Sequence, residues 1–188
     1  AFRKLILLDI GLHKGFKSTE PARFILIKKK LIKKIYKPKK QFAHKGTYGH
    51  ALLVAGSYGK MGAALLAAKA CLRAGVGLLT VHVPEIGYEI LQGNIPEAMA
   101  ITGDSIDIKK YTTIGIGPGL NTTEPAVNLL TSILQNIQST KEEQPSGNCQ
   151  LVVDADALNI LSAHPALLSM LPASTILTPH PKEFERLF

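Results

Sequence analysis

The feature that most constrains this chain is its alternation of short, wholly apolar runs with glycine turns and helical stretches. Residues 51–55 (Ala-Leu-Leu-Val-Ala) carry no polar side chain, as expected of a strand buried on both faces. A turn with three glycines follows, Gly56-Ser57-Tyr58-Gly59-Lys60-Met61-Gly62. Residues 62–74 then hold Ala63, Ala64, Ala67, Ala68, Ala70 and Leu72, good helix formers small enough to pack close to a sheet. A second strand is expected over 77–83, stopped by Pro84. The pattern recurs as strand 112–116, Gly117-Pro118-Gly119, helix 125–137, polar loop 139–149 and strand 150–154. It ends with helix 156–171 broken at Pro165, strand 174–177 and a helix opening after Pro181. Such alternation predicts the α/β class: a three-layer αβα sandwich around a mainly parallel sheet.

In sheets of this kind ligands gather at the C-terminal ends of the strands. That rule collects four segments: Gly56–Gly62, Gly117–Asn121, Asp154–Asn159 and Thr178–Glu183. The first matches neither the dinucleotide pattern G-x-G-x-x-G nor the P-loop pattern, so spacing alone leaves it open between an anion cradle and a plain turn. In the third, two acids and an amide stand at a strand end, a set that can hold Mg²⁺ through water beside phosphate. Asp156 also fits a helix N-cap, whereas Asp154 is harder to explain that way. In the fourth, two prolines flank His180 and fix where its ring points, while Glu183 suits the first turn of a helix. His44-Lys45-Gly46-Thr47-Tyr48-Gly49-His50, just before the first main strand, reads as a polar loop able to supply cationic groups.

With 46% hydrophobic and 19% charged residues among 188, the composition is that of one ordinary globular domain. No apolar run reaches the length of a membrane span. The start is not a convincing export signal, because Asp9 interrupts its apolar run, and a cytoplasmic location is expected. Cys71 and Cys149 lack metal-ligand spacing and are expected as reduced thiols. Without secretion the sequon Asn121-Thr122-Thr123 carries no meaning. The net charge of +8 would suggest nucleic acid if it were spread over a face. Instead residues 28–45 hold nine lysines and no acid, and without them 13 basic residues face 14 acidic ones. A solvated connector or short amphipathic helix is expected there, ended by Pro38, and nucleic acid is not expected as a partner.

In this order, the segments resemble the NAD(P)H-hydrate dehydratase family of the ribokinase-like superfamily. The matching pieces are His44-Lys45-Gly46-x-x-Gly49, Gly56-Ser57-x-Gly59-x-x-Gly62-Ala63-Ala64 and Leu72-Arg73-Ala74-Gly75-x-Gly77-Leu78. Gly115-x-Gly117-Pro118-Gly119, Val153-Asp154-Ala155-Asp156-Ala157-Leu158-Asn159 and Thr178-Pro179-His180-Pro181-x-Glu183 complete them. Leu8-Asp9-Ile10-Gly11-Leu12 is similar to the last strand of the epimerase domain that precedes the dehydratase in the bifunctional protein. The resemblance therefore implies a remnant of an epimerase-like domain at 1–27, a basic connector at 28–43 and the N-terminal part of a dehydratase domain at 44–188.

The activity implied is repair of a nicotinamide cofactor that has gained water across a ring double bond. ADP or ATP, with Mg²⁺, phosphorylates the hydroxyl, and phosphate leaves where hydroxide would leave poorly. By the resemblance, Ala63, Gly119 and His180 contact hydrated NADH or NADPH, and Asp154, Asn159 and Glu183 lie on the phosphate and magnesium side without binding the metal directly. A homo-oligomer is expected. Two positions depart from the family pattern, Lys182 and Asn121, where relatives carry glycine. The family's base, the aspartate of Gly-[Thr/Ser]-Gly-Asp, is expected beyond residue 188, so the fold is expected to be C-terminally incomplete and the chain as written inactive. Ile101-Thr102-Gly103-Asp104 precedes His180 and reads as a loop. The competing readings are a ribokinase-like kinase for a vitamin-precursor alcohol and a non-catalytic module that binds acidic partners through its lysines.

Overall fold

The computed structural model describes residues 6, 8, 10–21, 26–36, 38, 41–143 and 149–188. It divides into two compact units, Ala1–Gln41 and Phe42–Phe188. The first holds two short helices, α1 (Lys14–Thr19) and α2 (Lys29–Ile35). The lysine run thus forms a helix of two turns, with every residue exposed. Leu8 and residues 10–12 carry no strand, and Asp9 lies outside the described residues, as do parts of the apolar runs 5–8 and 24–27.

The second unit is a doubly wound sheet. Its elements run β1 (His50–Val54), α3 (Met61–Ala74), β2 (Leu78–His82), α4 (Tyr88–Asn94), β3 (Met99–Ile101), β4 (Thr113–Ile116), α5 (Glu124–Glu143), β5 (Gln150–Val153), α6 (Ala155–Ala163), β6 (Ile176–Leu177) and α7 (Pro181–Leu187). The strand order is β3-β2-β1-β4-β5-β6 and every neighbouring pair is parallel. Chain order therefore runs outward in both directions from the β1–β4 seam.

The period-two alternation of a strand separates the two cores. Leu52, Val54, Ile114, Ile116, Leu151 and Val153 point to one face, where α5 and α6 cover them. Ala51, Leu53, Leu79 and Val81 point to the other, under α3 and α4. Ala64 and Ala68, one turn apart on α3, are fully buried, so the alanines do let this helix lie close to the sheet. On α5, Leu130, Ile133, Leu134 and Ile137 form the buried stripe that the spacing predicts. The three expected layers are present.

Several boundaries differ from expectation. The helix expected over 125–137 begins at Glu124 and runs on to Glu143, into the segment expected as a loop. Ser139 and Thr140 donate to the carbonyls of Gln135 and Asn136, and the helix outlasts its apolar stripe. The helix expected over 156–171 stops at Ala163, and a 3₁₀ stretch, Pro165–Met170, follows with its proline in the first position. The strand expected over 174–177 is only Ile176–Leu177. Residues 84–111, given no element above, contain α4 and β3; a three-residue strand is too short to show periodicity.

Candidate functional site

The site is the rim at the C-terminal ends of the strands, centred on the seam where strand order reverses. The loops after β1 and β4 are tied together there. The Gly56 N–H donates to the Pro118 carbonyl at 2.9 Å, and the Ser57 hydroxyl donates to the Gly119 carbonyl at 2.8 Å. Gly119 has a positive φ of 66°, and a Cβ on it would lie 2.9 Å from both the Ala63 Cβ and the Lys60 carbonyl. The structure therefore brings Ala63 and Gly119 into direct contact. Gly117, at φ 129°, is tighter: a Cβ would fall 1.8 Å from the Asp154 carbonyl, so the β5 loop presses on it.

Asp156 locks this arrangement. The sequence reading offers it as an N-cap, but Asp154 occupies that position and makes no side-chain cap bond. Instead one oxygen of Asp156 accepts from the Asn121 N–H at 2.8 Å and from the Lys60 ammonium at 3.1 Å. One carboxylate thereby joins the loops after β1, β4 and β5. Asn121 sits at φ 73°, a left-handed conformation that asparagine tolerates, which explains why glycine is the alternative in relatives. Lys182, the other departure, is exposed in the first turn of α7.

The second half of the rim comes from β5 and β6. Thr178 donates to Asp154 Oδ1 at 2.7 Å, linking the β5 and β6 loops. His180 is the N-cap of α7 and forms a capping box with Glu183. Its Nδ1 accepts from the Glu183 N–H at 3.3 Å, and Glu183 Oε2 accepts from the His180 N–H at 3.0 Å. His180 Nε2 lies 3.3 Å from Glu183 Oε1, beside a carboxylate that is 7% exposed. Accepting at Nδ1 places the ring proton of the neutral imidazole on Nε2. Asn159 accepts from Arg186 of α7 at 2.8 Å.

A cavity of about 340 Å³ adjoins the seam on the β2–β3 side. Ser57, Tyr58, His82, Pro84, Asp104 and Leu129 are among its lining residues. Ala63, Gly119, Asp154, Asn159, His180 and Glu183 line none of it. Sequence reasoning missed this cavity, because its walls come from the region given no element; the alternation of His82 with apolar neighbours in β2 is the one signal that precedes it. His82 is buried, with its Nε2 2.6 Å from the Gly103 carbonyl. Gly103 belongs to a loop after β3, as read.

The segment His44–His50 lies elsewhere. It forms a 3₁₀ turn, Lys45–Tyr48, leading into the N-terminal end of β1, at the opposite end of the sheet from the rim. There it packs on the start of β2: the Gly77 N–H donates to the Tyr48 carbonyl, and a Cβ on Gly77 would fall 1.8 Å from the Lys45 carbonyl.

The sequence profile of the NAD(P)H-hydrate dehydratase family matches residues 51–188. The chain belongs to that family. An ADP-dependent (S)-NAD(P)H-hydrate dehydratase of Streptococcus thermophilus is 40% identical over 162 residues, which cover 84% of this chain and 55% of the relative. A bifunctional NAD(P)H-hydrate repair enzyme of Coxiella burnetii is 33% identical over 189 residues, covering 98% of this chain and 36% of its own length. Among solved structures, the Bacillus subtilis ADP/ATP-dependent NAD(P)H-hydrate dehydratase co-crystallized with ATP/Mg²⁺ superimposes with a TM-score of 0.60 at 30% identity, covering 80% of this chain and 50% of that one. The chain spans about half the length of the curated relatives it matches. Its layered parallel sheet is that of the ribokinase-like superfamily.

Proposed function

We propose that the protein carrying this chain repairs hydrated NADH or NADPH, using ADP or ATP to turn the ring hydroxyl into a phosphate ester that then leaves. The observation that carries this reading is the family match over 51–188 together with the contact of Ala63 with Gly119 at the sheet's reversal point. Glycine at 119 leaves backbone bare at the rim, where a dinucleotide can approach closely. His180, held by its capping box, offers an oriented ring from the β6 side. Ala63, Gly119 and His180 form the substrate side in this reading, and Asp154, Asn159 and Glu183 the phosphate side.

The residues present fit magnesium held indirectly. Among the described residues no three His, Cys, Asp or Glu side chains converge on one point. Asp154 and Glu183 instead accept from Thr178 and His180, leaving a metal to be carried by nucleotide phosphates and water. When bound, Mg²⁺ supplies neutralisation of charge on the transferring phosphoryl group. Asp154 and Asn159 would orient its water shell from the β5 loop, and the buried Glu183 keeps the His180 ring in one tautomer.

Residues 1–27 are read as the end of an epimerase-like domain and 28–43 as a basic connector. The alignment with the bifunctional enzyme over 98% of the chain supports this. A cytoplasmic homo-oligomer completes the reading. Among the described residues no helix is long and apolar enough to cross a membrane.

The test is turnover by the protein at its full natural length. Hydrated NADH, Mg²⁺ and ADP or ATP should restore the near-ultraviolet absorbance of NADH with one phosphate released per cofactor. Phosphorylation of a vitamin-precursor alcohol with no cofactor restored would overturn the proposal.

A further inference from the structure

The cavity beside the seam has no role in the reading above, and its position assigns it one. The hydroxyl to be phosphorylated sits on the nicotinamide ring. The phosphate-side groups Asp154, Asn159 and Glu183 belong to the β5–α6 loop, α6 and α7. The cavity lies at the ends of β2 and β3, on the other side of the β1–β4 seam. From β2 to β5 is three strand spacings, about 14 Å, a span suited to an extended dinucleotide. Ser57 lines the cavity and also donates to Gly119, so cavity and cradle share a wall.

We propose, resting on the function above, that this cavity takes the adenosine half of the hydrated dinucleotide and favours hydrated NADH over hydrated NADPH. The lining fits a purine. Pro84, Leu120 and Leu129 are apolar, and Tyr58, 82% exposed at the rim, offers an aromatic plane for the base. The lining also carries Glu85 and Asp104 and, among the described residues, no lysine or arginine. A carboxylate beside the adenosine ribose accepts from a free 2′-hydroxyl but repels a 2′-phosphate. NADPH differs from NADH by that phosphate alone. Both carboxylates are exposed, so salt should weaken their discrimination.

Three substrates separate the possibilities in the full-length protein: hydrated NADH, hydrated NADPH and hydrated reduced nicotinamide mononucleotide, which lacks the adenosine half. At low salt, kcat/KM for hydrated NADH should exceed that for hydrated NADPH by about fivefold. The preference should shrink with added salt and in the Glu85→Gln/Asp104→Asn variant. In Tyr58→Ala, kcat/KM for the dinucleotide relative to the mononucleotide should fall by about tenfold, through KM. Equal wild-type values for the two dinucleotides, or an unchanged ratio in Tyr58→Ala, would overturn the assignment while leaving the repair activity standing. Restoration of neither dinucleotide would overturn the repair activity itself.

Discussion

The loops after β1 and β4 and the loops after β5 and β6 form one rim by opposite means. At the seam, fit comes from missing side chains: Gly117 and Gly119 leave room for the Asp154 carbonyl, the Lys60 carbonyl and Ala63. At β5 and β6, fit comes from side chains that reach each other: Thr178 to Asp154, His180 to Glu183, Arg186 to Asn159. The first half should break when atoms are added, and the second when they are removed. The two failures differ in size, because a backbone collision has nowhere to relax whereas a lost surface hydrogen bond is partly replaced by water.

The largest effect is expected from Gly117→Ala. Its Cβ would meet a backbone oxygen at 1.8 Å with φ at 129°, so either the loop moves or the chain does not fold. A loss of about 3 kcal/mol or more is expected in urea denaturation. Next is Gly119→Ala, where the contacts are 2.9 Å and φ is 66°. About 2 kcal/mol should be lost, and the substrate cradle should close as Ala63 is pushed away; calorimetric binding of hydrated NADH should weaken more than stability falls. If Gly119→Ala were silent in both readouts, the seam would not be a steric fit at all.

Removing atoms from the other half should cost less. Glu183→Ala deletes one arm of the capping box and should lower stability by about 1.5 kcal/mol, with Glu183→Gln recovering roughly half. Nitrogen resonances of His180 should lose their single-tautomer pattern in the alanine variant and keep it in the glutamine one. The smallest effect is expected at the far end of the sheet. His50, at the start of β1, has its pKa lowered by burial and hydrogen-bonds Thr80 at 2.8 Å. A histidine whose folded value lies below its unfolded one prefers to stay neutral in the fold. Its contribution is therefore complete above the ordinary histidine range and is lost as pH falls through and below it. The urea midpoint should fall slightly more between about pH 7.5 and about pH 5 in the wild type than in His50→Gln. That slope tests neither rim half and serves as the baseline for both.

Much of the layered sheet was legible in the residues. Runs such as 51–55 have no polar atom to place in water, and the stripe Leu130, Ile133, Leu134, Ile137 suits only a helix lying on a sheet. Elements without a period were not legible. β3 has three residues, and α4 is anchored on Leu91 alone as its buried side chain. Asp156 shows the limit within the site. Its neighbours allow an N-cap, and only the approach of Lys60 and Asn121, 96 and 35 residues away, reveals a tie between loops.

The chain's own pattern determined which segments become strand, turn and helix, and that the four glycine- and acid-bearing turns share the C-terminal rim. That much follows from local burial and from the handed, parallel connection of strands. Only the tertiary structure decided the rest. It sent His44–His50 to the opposite end of the sheet, turned Asp156 from a cap into a clasp, and opened a cavity lined by residues that lie far apart along the chain. These outcomes depend on distances between side chains from separate elements, which no local run of sequence encodes.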